Sequence, residues 1–107
     1  MNRSERWLLA LIVLAGLFAG GCADTPQLGS DEASWTTADA LWTAITAKNP
    51  TMVEDCAKRI RKLETSGKLA PETAAALQTL IQQAREGEWD DARSELKTFV
   101  QGQRRPA

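Results

Sequence analysis

The chain has 107 residues, of which 25% are charged and 43% hydrophobic, and a formal net charge of −1. That length holds one small domain, the composition excludes wholesale disorder and a multi-span membrane protein, and the near-neutral charge gives no bulk attraction for nucleic acid. Histidine is absent, which removes the commonest general base, the commonest zinc ligand and the usual pH switch together.

The first element is a leader. Arg3 and Arg6 precede an unbroken apolar run from Trp7 to Ala19, which gives way to Gly20-Gly21-Cys22. A basic start, a short apolar core and small residues form the order of an export signal. The run is shorter than the roughly 20 residues that a permanent membrane-spanning helix needs. The junction Ala19-Gly20-Gly21-Cys22 resembles the lipobox of bacterial lipoproteins, departing from it at Ala19, where leucine is usual. The resemblance implies cleavage between Gly21 and Cys22 and lipid on Cys22, with residues 1–21 removed as a signal peptide. It also implies anchoring in a bacterial cell envelope, and Ala23 after the cysteine favours the outer over the inner membrane. The alternatives are a plain secretory signal, or an uncleaved single-span anchor with the domain outside. Removing residues 1–21 leaves 86 residues with 11 basic and 13 acidic side chains.

Residues 22–35 mix Pro26, Gly29, Ser30 and acids without a sustained period, so they are expected to form the lipidated cysteine and a flexible tether. Residues 36–102 then carry four amphipathic helices. The first is expected from about Thr37 to Lys48, with Thr36 and Asp39 as a capping box and Ala38, Leu41, Trp42 and Ile45 inward. Asn49-Pro50 ends it and opens the second helix, because asparagine caps well and proline suits the first helical position. The second turns Val53, Cys56, Ile60 and Leu63 inward and stops near Gly67. The third starts at Pro71-Glu72, turns Ala74, Leu77, Leu80, Ile81 and Ala84 inward and ends at Gly87. The fourth runs from about Trp89 to Gln101 with Trp89, Ala92, Leu96, Phe99 and Val100 inward. Residues 103–107 are expected to fray.

Sliding the chain by 36 residues aligns the two helix pairs, with identities that include Thr37/Thr73, Ala38/Ala74, Leu41/Leu77, Ile45/Ile81 and Asp55/Asp91. The expected fold is therefore all-α, with two αα-hairpins packed as a small bundle or a minimal helical repeat after an N-terminal signal helix. Gly87-Glu88-Trp89-Asp90-Asp91-Ala92 resembles the start of the second helix of a tetratricopeptide repeat. That family's first-helix signature is missing, since Ala76, Leu80 and Gln83 stand where an aromatic, a glycine and another aromatic belong. The likeness implies a helical hairpin in which Trp89 fills the space between the third and fourth helices.

Candidate chemistry is sparse. Glu86, Glu88, Asp90, Asp91 and Glu95 form an acidic cluster whose ordinary reading is a solvated helix start favoured by the macrodipole. Lys58, Arg59, Arg61 and Lys62 form a basic run. It reads as a solvated face paired with Glu54 and Asp55 one turn earlier, or as a contact for anionic lipid or peptidoglycan. No phosphate loop, nucleophile elbow or metal spacing occurs, and no histidine can activate a serine. No catalytic residue, metal ligand or cofactor is expected. Cys56 reads as a core thiol. The expected role is a membrane-anchored envelope lipoprotein whose helical domain binds or scaffolds another envelope protein, with neither nucleic acid nor a small-molecule substrate. The alternative is a purely structural lipoprotein.

Overall fold

The computed structural model describes residues 25–104, so Gly21, Cys22, the leader and residues 105–107 lie outside the described residues. Four helices follow one another: α1 Glu32–Thr46, α2 Pro50–Thr65, α3 Pro71–Arg85 and α4 Trp89–Gln101. No strand occurs among the described residues. Short connections make successive helices antiparallel neighbours. α1 packs on α2, α2 on α3, α3 on α4, and α4 returns to α1. That last contact closes the ring, so the two hairpins form a bundle rather than an open-ended stack. No helix among the described residues is long and apolar enough to cross a membrane.

The turns form for the reasons that their residues suggest. Asn49 Oδ1 accepts the Met52 amide at 3.1 Å, and Pro50 occupies the first turn of α2, where its missing N–H costs nothing. Gly67 and Gly87 follow α2 and α3 with φ of 77° and 81°, the left-handed conformation that ends a helix cheaply only in glycine. The turn between α1 and α2 lacks a glycine, and Lys48 takes the left-handed conformation there at φ 52°.

The start of α1 differs from the expectation. Asp31, not Thr36, is the cap: its carboxylate accepts the Ser34 amide at 3.3 Å, and Glu32 places an acid in the first turn. Thr36 and Thr37 lie inside the helix, where Thr37 Oγ1 donates to the Ala33 carbonyl at 2.8 Å. Residues 32–35, expected in the tether, are therefore helix.

The earlier start also changes the internal repeat. Glu32 and Pro71, Pro50 and Trp89, and the left-handed Lys48 and Gly87 each stand 39 residues apart, not 36. The difference of three is just under one helical turn, so the apolar stripes coincide in either register. Thr37 and Thr73, identical in the 36-residue alignment, hold different places: sixth in α1 and third in α3.

The core contains Leu41, Ile45, Val53, Cys56, Ile60, Leu77, Ile81 and Leu96, each at most 2% exposed. Trp42 and Trp89 pack against it half-buried, so Trp89 is partly rather than fully enclosed. Val100, expected inward, is 42% exposed. It lies beyond the stripe of Ala92, Leu96 and Phe99, on the flank of α4 that faces α1.

Two buried leucines lie outside the helices. Leu28, in the segment expected as tether, and Leu69, in the α2–α3 connection, close the same end of the bundle. Their settings correspond. Thr73 Oγ1 in α3 donates to the carbonyl of Gln27, just before Leu28, at 2.8 Å. Ser34 Oγ in α1 donates to the carbonyl of Lys68, just before Leu69, at 3.5 Å. Each helix thus holds, through a buried hydroxyl at its third position, the leucine segment that leads into the other.

Residues 25–28 are further fixed to the end of α4. Gln103 Oε1 accepts the Leu28 amide at 2.7 Å, and Gln103 Nε2 donates to the carbonyls of Pro26 and Phe99 at 2.8 and 3.0 Å. Gln27 answers by donating to the Gly102 carbonyl at 3.0 Å and accepting the Arg104 amide at 2.8 Å. Thr25 also lies against Gly102, where an added Cβ would collide with its side chain. The described part of the expected tether is a packed strap, and Gln103, expected in the frayed tail, is its clasp.

Candidate functional site

Closing α1 against α4 leaves an open groove of about 1110 Å³ along their junction. On α1, Trp35 and Trp42 line it, seven residues and hence about two turns apart on one side of the helix. Both indoles are half-buried, their inner edges on the core and the remainder toward the groove. Trp35 Nε1 donates to the Gly29 carbonyl at 2.7 Å, which fixes that ring at the strap end. Opposite them α4 contributes Val100, Arg93 and Lys97. Neither Arg93 nor Lys97 has an ion-pair partner among the described residues. Glu32 and Asp39 add carboxylates along the α1 side. Indoles, a valine and unpaired cations along one groove combine apolar area with directional charge, the composition of a protein-binding surface.

A smaller hollow of about 620 Å³ lies between α1 and the C-terminal part of α2. Ala33 and Leu63 contribute apolar lining, and Arg59, Lys62, Lys68 and Glu32 contribute charge. Only Arg59 and Lys62 of the basic run line it.

The expected pairing within α2 is not the one formed. Glu54 meets Arg85 of α3 instead of Lys58, with Nε–Oε2 and Nη2–Oε1 distances both 2.8 Å. The fork of the guanidinium matches both carboxylate oxygens, a geometry that lysine lacks. This hydrogen-bonded pair holds the Glu54 carboxyl below its ordinary value and raises Arg85. With the two side chains 48% and 36% exposed, it joins α2 to α3 at the surface.

The remaining sequence candidates take structural places. Cys56 is a buried free thiol whose pKa burial pushes up. Glu86, Glu88, Asp90 and Asp91 are exposed around the start of α4, and Glu95 accepts a bond from Gln83 Nε2 at 3.1 Å. Among the described residues no three Cys, Asp or Glu side chains are grouped to hold a metal ion. The α1–α4 groove was not foreseen from the sequence; the available signal was Trp35 and Trp42 at a spacing of seven.

No family model matches this chain, and neither the curated proteins nor the solved structures include a match to it.

Proposed function

We propose that the chain is the precursor of a lipid-anchored bacterial envelope protein, cut before Cys22, whose helical bundle binds a partner protein along the α1–α4 groove. The basic start, short apolar run and Gly20-Gly21-Cys22 junction support the anchor, and Ala23 favours the outer membrane. The observation that carries the binding role is the pair of half-buried indoles, Trp35 and Trp42, facing exposed Val100 across the groove. An aromatic pair kept partly in water at an edge of the core offers an anchoring area that a purely structural bundle does not need. Catalysis has no support in the residues assembled here.

Two experiments separate the anchor from the binding role. Labelling with a palmitate analogue should mark the wild-type chain and leave Cys22→Ser unmarked; equal labelling of the two would sink lipid attachment at this residue. A photo-crosslinking side chain at Val100, used in living cells, should give a discrete adduct that Trp35→Ala plus Trp42→Ala abolishes. The same probe at Lys58, away from the groove, should give none. Adducts that are diffuse, or unchanged by loss of the indoles, would favour the purely structural lipoprotein.

A further inference from the structure

We infer that the strap end of the bundle rests on the bilayer, with Arg59, Lys62 and Lys68 holding the phosphate groups of anionic phospholipids at the α1–α2 hollow. This rests on the reading of Cys22 as the lipidated residue.

Three observations carry it. The first is reach. Only Ala23 and Asp24 separate Cys22 from Thr25, so the anchored residue lies at most about 11 Å along the chain from it. Thr25 abuts Gly102, and the following residues are fixed to Gln103, Thr73 and Arg104, so no long tether lets the bundle stand off. The second is placement. The strap lies over the start of α3 and the end of α4 and leads into α1, while Ser34 ties the α2–α3 connection to the same end. Lys62 and Lys68, at the end of α2 and just beyond it, therefore belong to the end that the anchor draws toward the headgroups, with Arg59 one turn further in.

The third is charge. Around the hollow stand three cations and one carboxylate, Glu32, and none of the three cations is ion-paired among the described residues. Exposed Ala33 and the buried Leu63 add apolar lining beside these cations. The opposite end presents Glu86, Glu88, Asp90 and Asp91 against Lys48 and the already paired Arg85. Asp31, Glu64 and Glu72 also stand at the strap end, so the attraction of an anionic leaflet is local to the cations of the hollow, while the opposite end repels it, within a Debye length of about 8 Å at physiological salt.

The test uses the processed, lipid-bearing protein in vesicles of phosphatidylcholine alone or phosphatidylcholine mixed with phosphatidylglycerol. Flotation on the zwitterionic vesicles reports the anchor. Amine labelling, read residue by residue by mass spectrometry, reports the contact. Labelling of Lys62 and Lys68 should fall several-fold in the mixed vesicles relative to the zwitterionic ones and recover in high salt, while Lys48 stays unchanged. Arg59→Glu should remove that protection and leave flotation and the helical circular dichroism intact. Flotation with equal labelling in both vesicle types would overturn the headgroup contact and leave the anchor standing, as would protection that survives Arg59→Glu. Failure to float on zwitterionic vesicles would overturn the lipid reading and this inference with it.

Discussion

Replacing Leu28 by alanine discriminates between a strap and a tether. The side chain is 2% exposed, so the change removes buried methyl groups and opens a cavity under the end of the bundle. Large-to-small changes of this kind cost about 2–5 kcal/mol, and a chain end that can partly collapse into the space belongs in the lower half, about 2–3 kcal/mol. For a domain of this size each kcal/mol lowers the melting temperature by about 4–8 °C, so a fall of at least about 8 °C is expected. The assay is urea and thermal unfolding of the chain from residue 22 onward with Cys22→Ser, followed by circular dichroism. Leu69→Ala, which empties the corresponding place in the α2–α3 connection, should cost a similar amount. A change below about 0.5 kcal/mol for Leu28→Ala, the range of ordinary surface substitutions, would refute the packed strap.

Other expectations are smaller. Because Arg85 lowers the folded-state pKa of Glu54, the stability this pair contributes is present above the ordinary carboxyl value of 4.5 and is lost as pH falls through the depressed value. At this exposure it amounts to about 1 kcal/mol or less, and Arg85→Ala should flatten that part of the pH–stability curve; an unchanged curve would count against the pair. Lys48→Gly should raise stability by about 0.5–1 kcal/mol, because glycine accepts the left-handed turn without a Cβ penalty, and Gly87→Ala should lower it by about 1 kcal/mol. Chemical denaturation measures both, and the same sign for the two would contradict the turn geometry. Cys56 should resist a thiol reagent in the folded protein and react fully in urea; rapid labelling of the native chain would contradict its burial.

The sequence made most of the bundle legible because its punctuation is local. Asn49-Pro50, Gly67, Pro71 and Gly87 each specify a backbone conformation without help from distant residues, and the stripes through Leu41, Ile60, Leu77 and Leu96 have helical period. What escaped was set by tertiary contact. Leu28 sits among Pro26, Gly29 and Ser30, where no period marks it as core, and its partners lie on α3 and beyond α4. Glu54 chose Arg85 over Lys58 because α3 brings a bidentate partner to a place that spacing within α2 cannot reveal. Val100 continues the apolar run of α4, yet the direction of the α4–α1 junction leaves it beside the groove. The two indoles were visible, but their shared exposure depends on that closure.

Gln103 and the strap it clasps are separated by 75 to 77 positions in sequence. In a chain that emerges N-terminus first, the four helices can nucleate as their own residues appear, whereas residues 26–28 have no clasp until Gln103 has come out. Bringing the two ends together is also an entropically costly loop closure, which orders it late. Until then residues 26–28 have nothing from the far end of the bundle to hold them. Docking of the strap and completion of the bundle are thus a single late step that couples the two ends of the described residues.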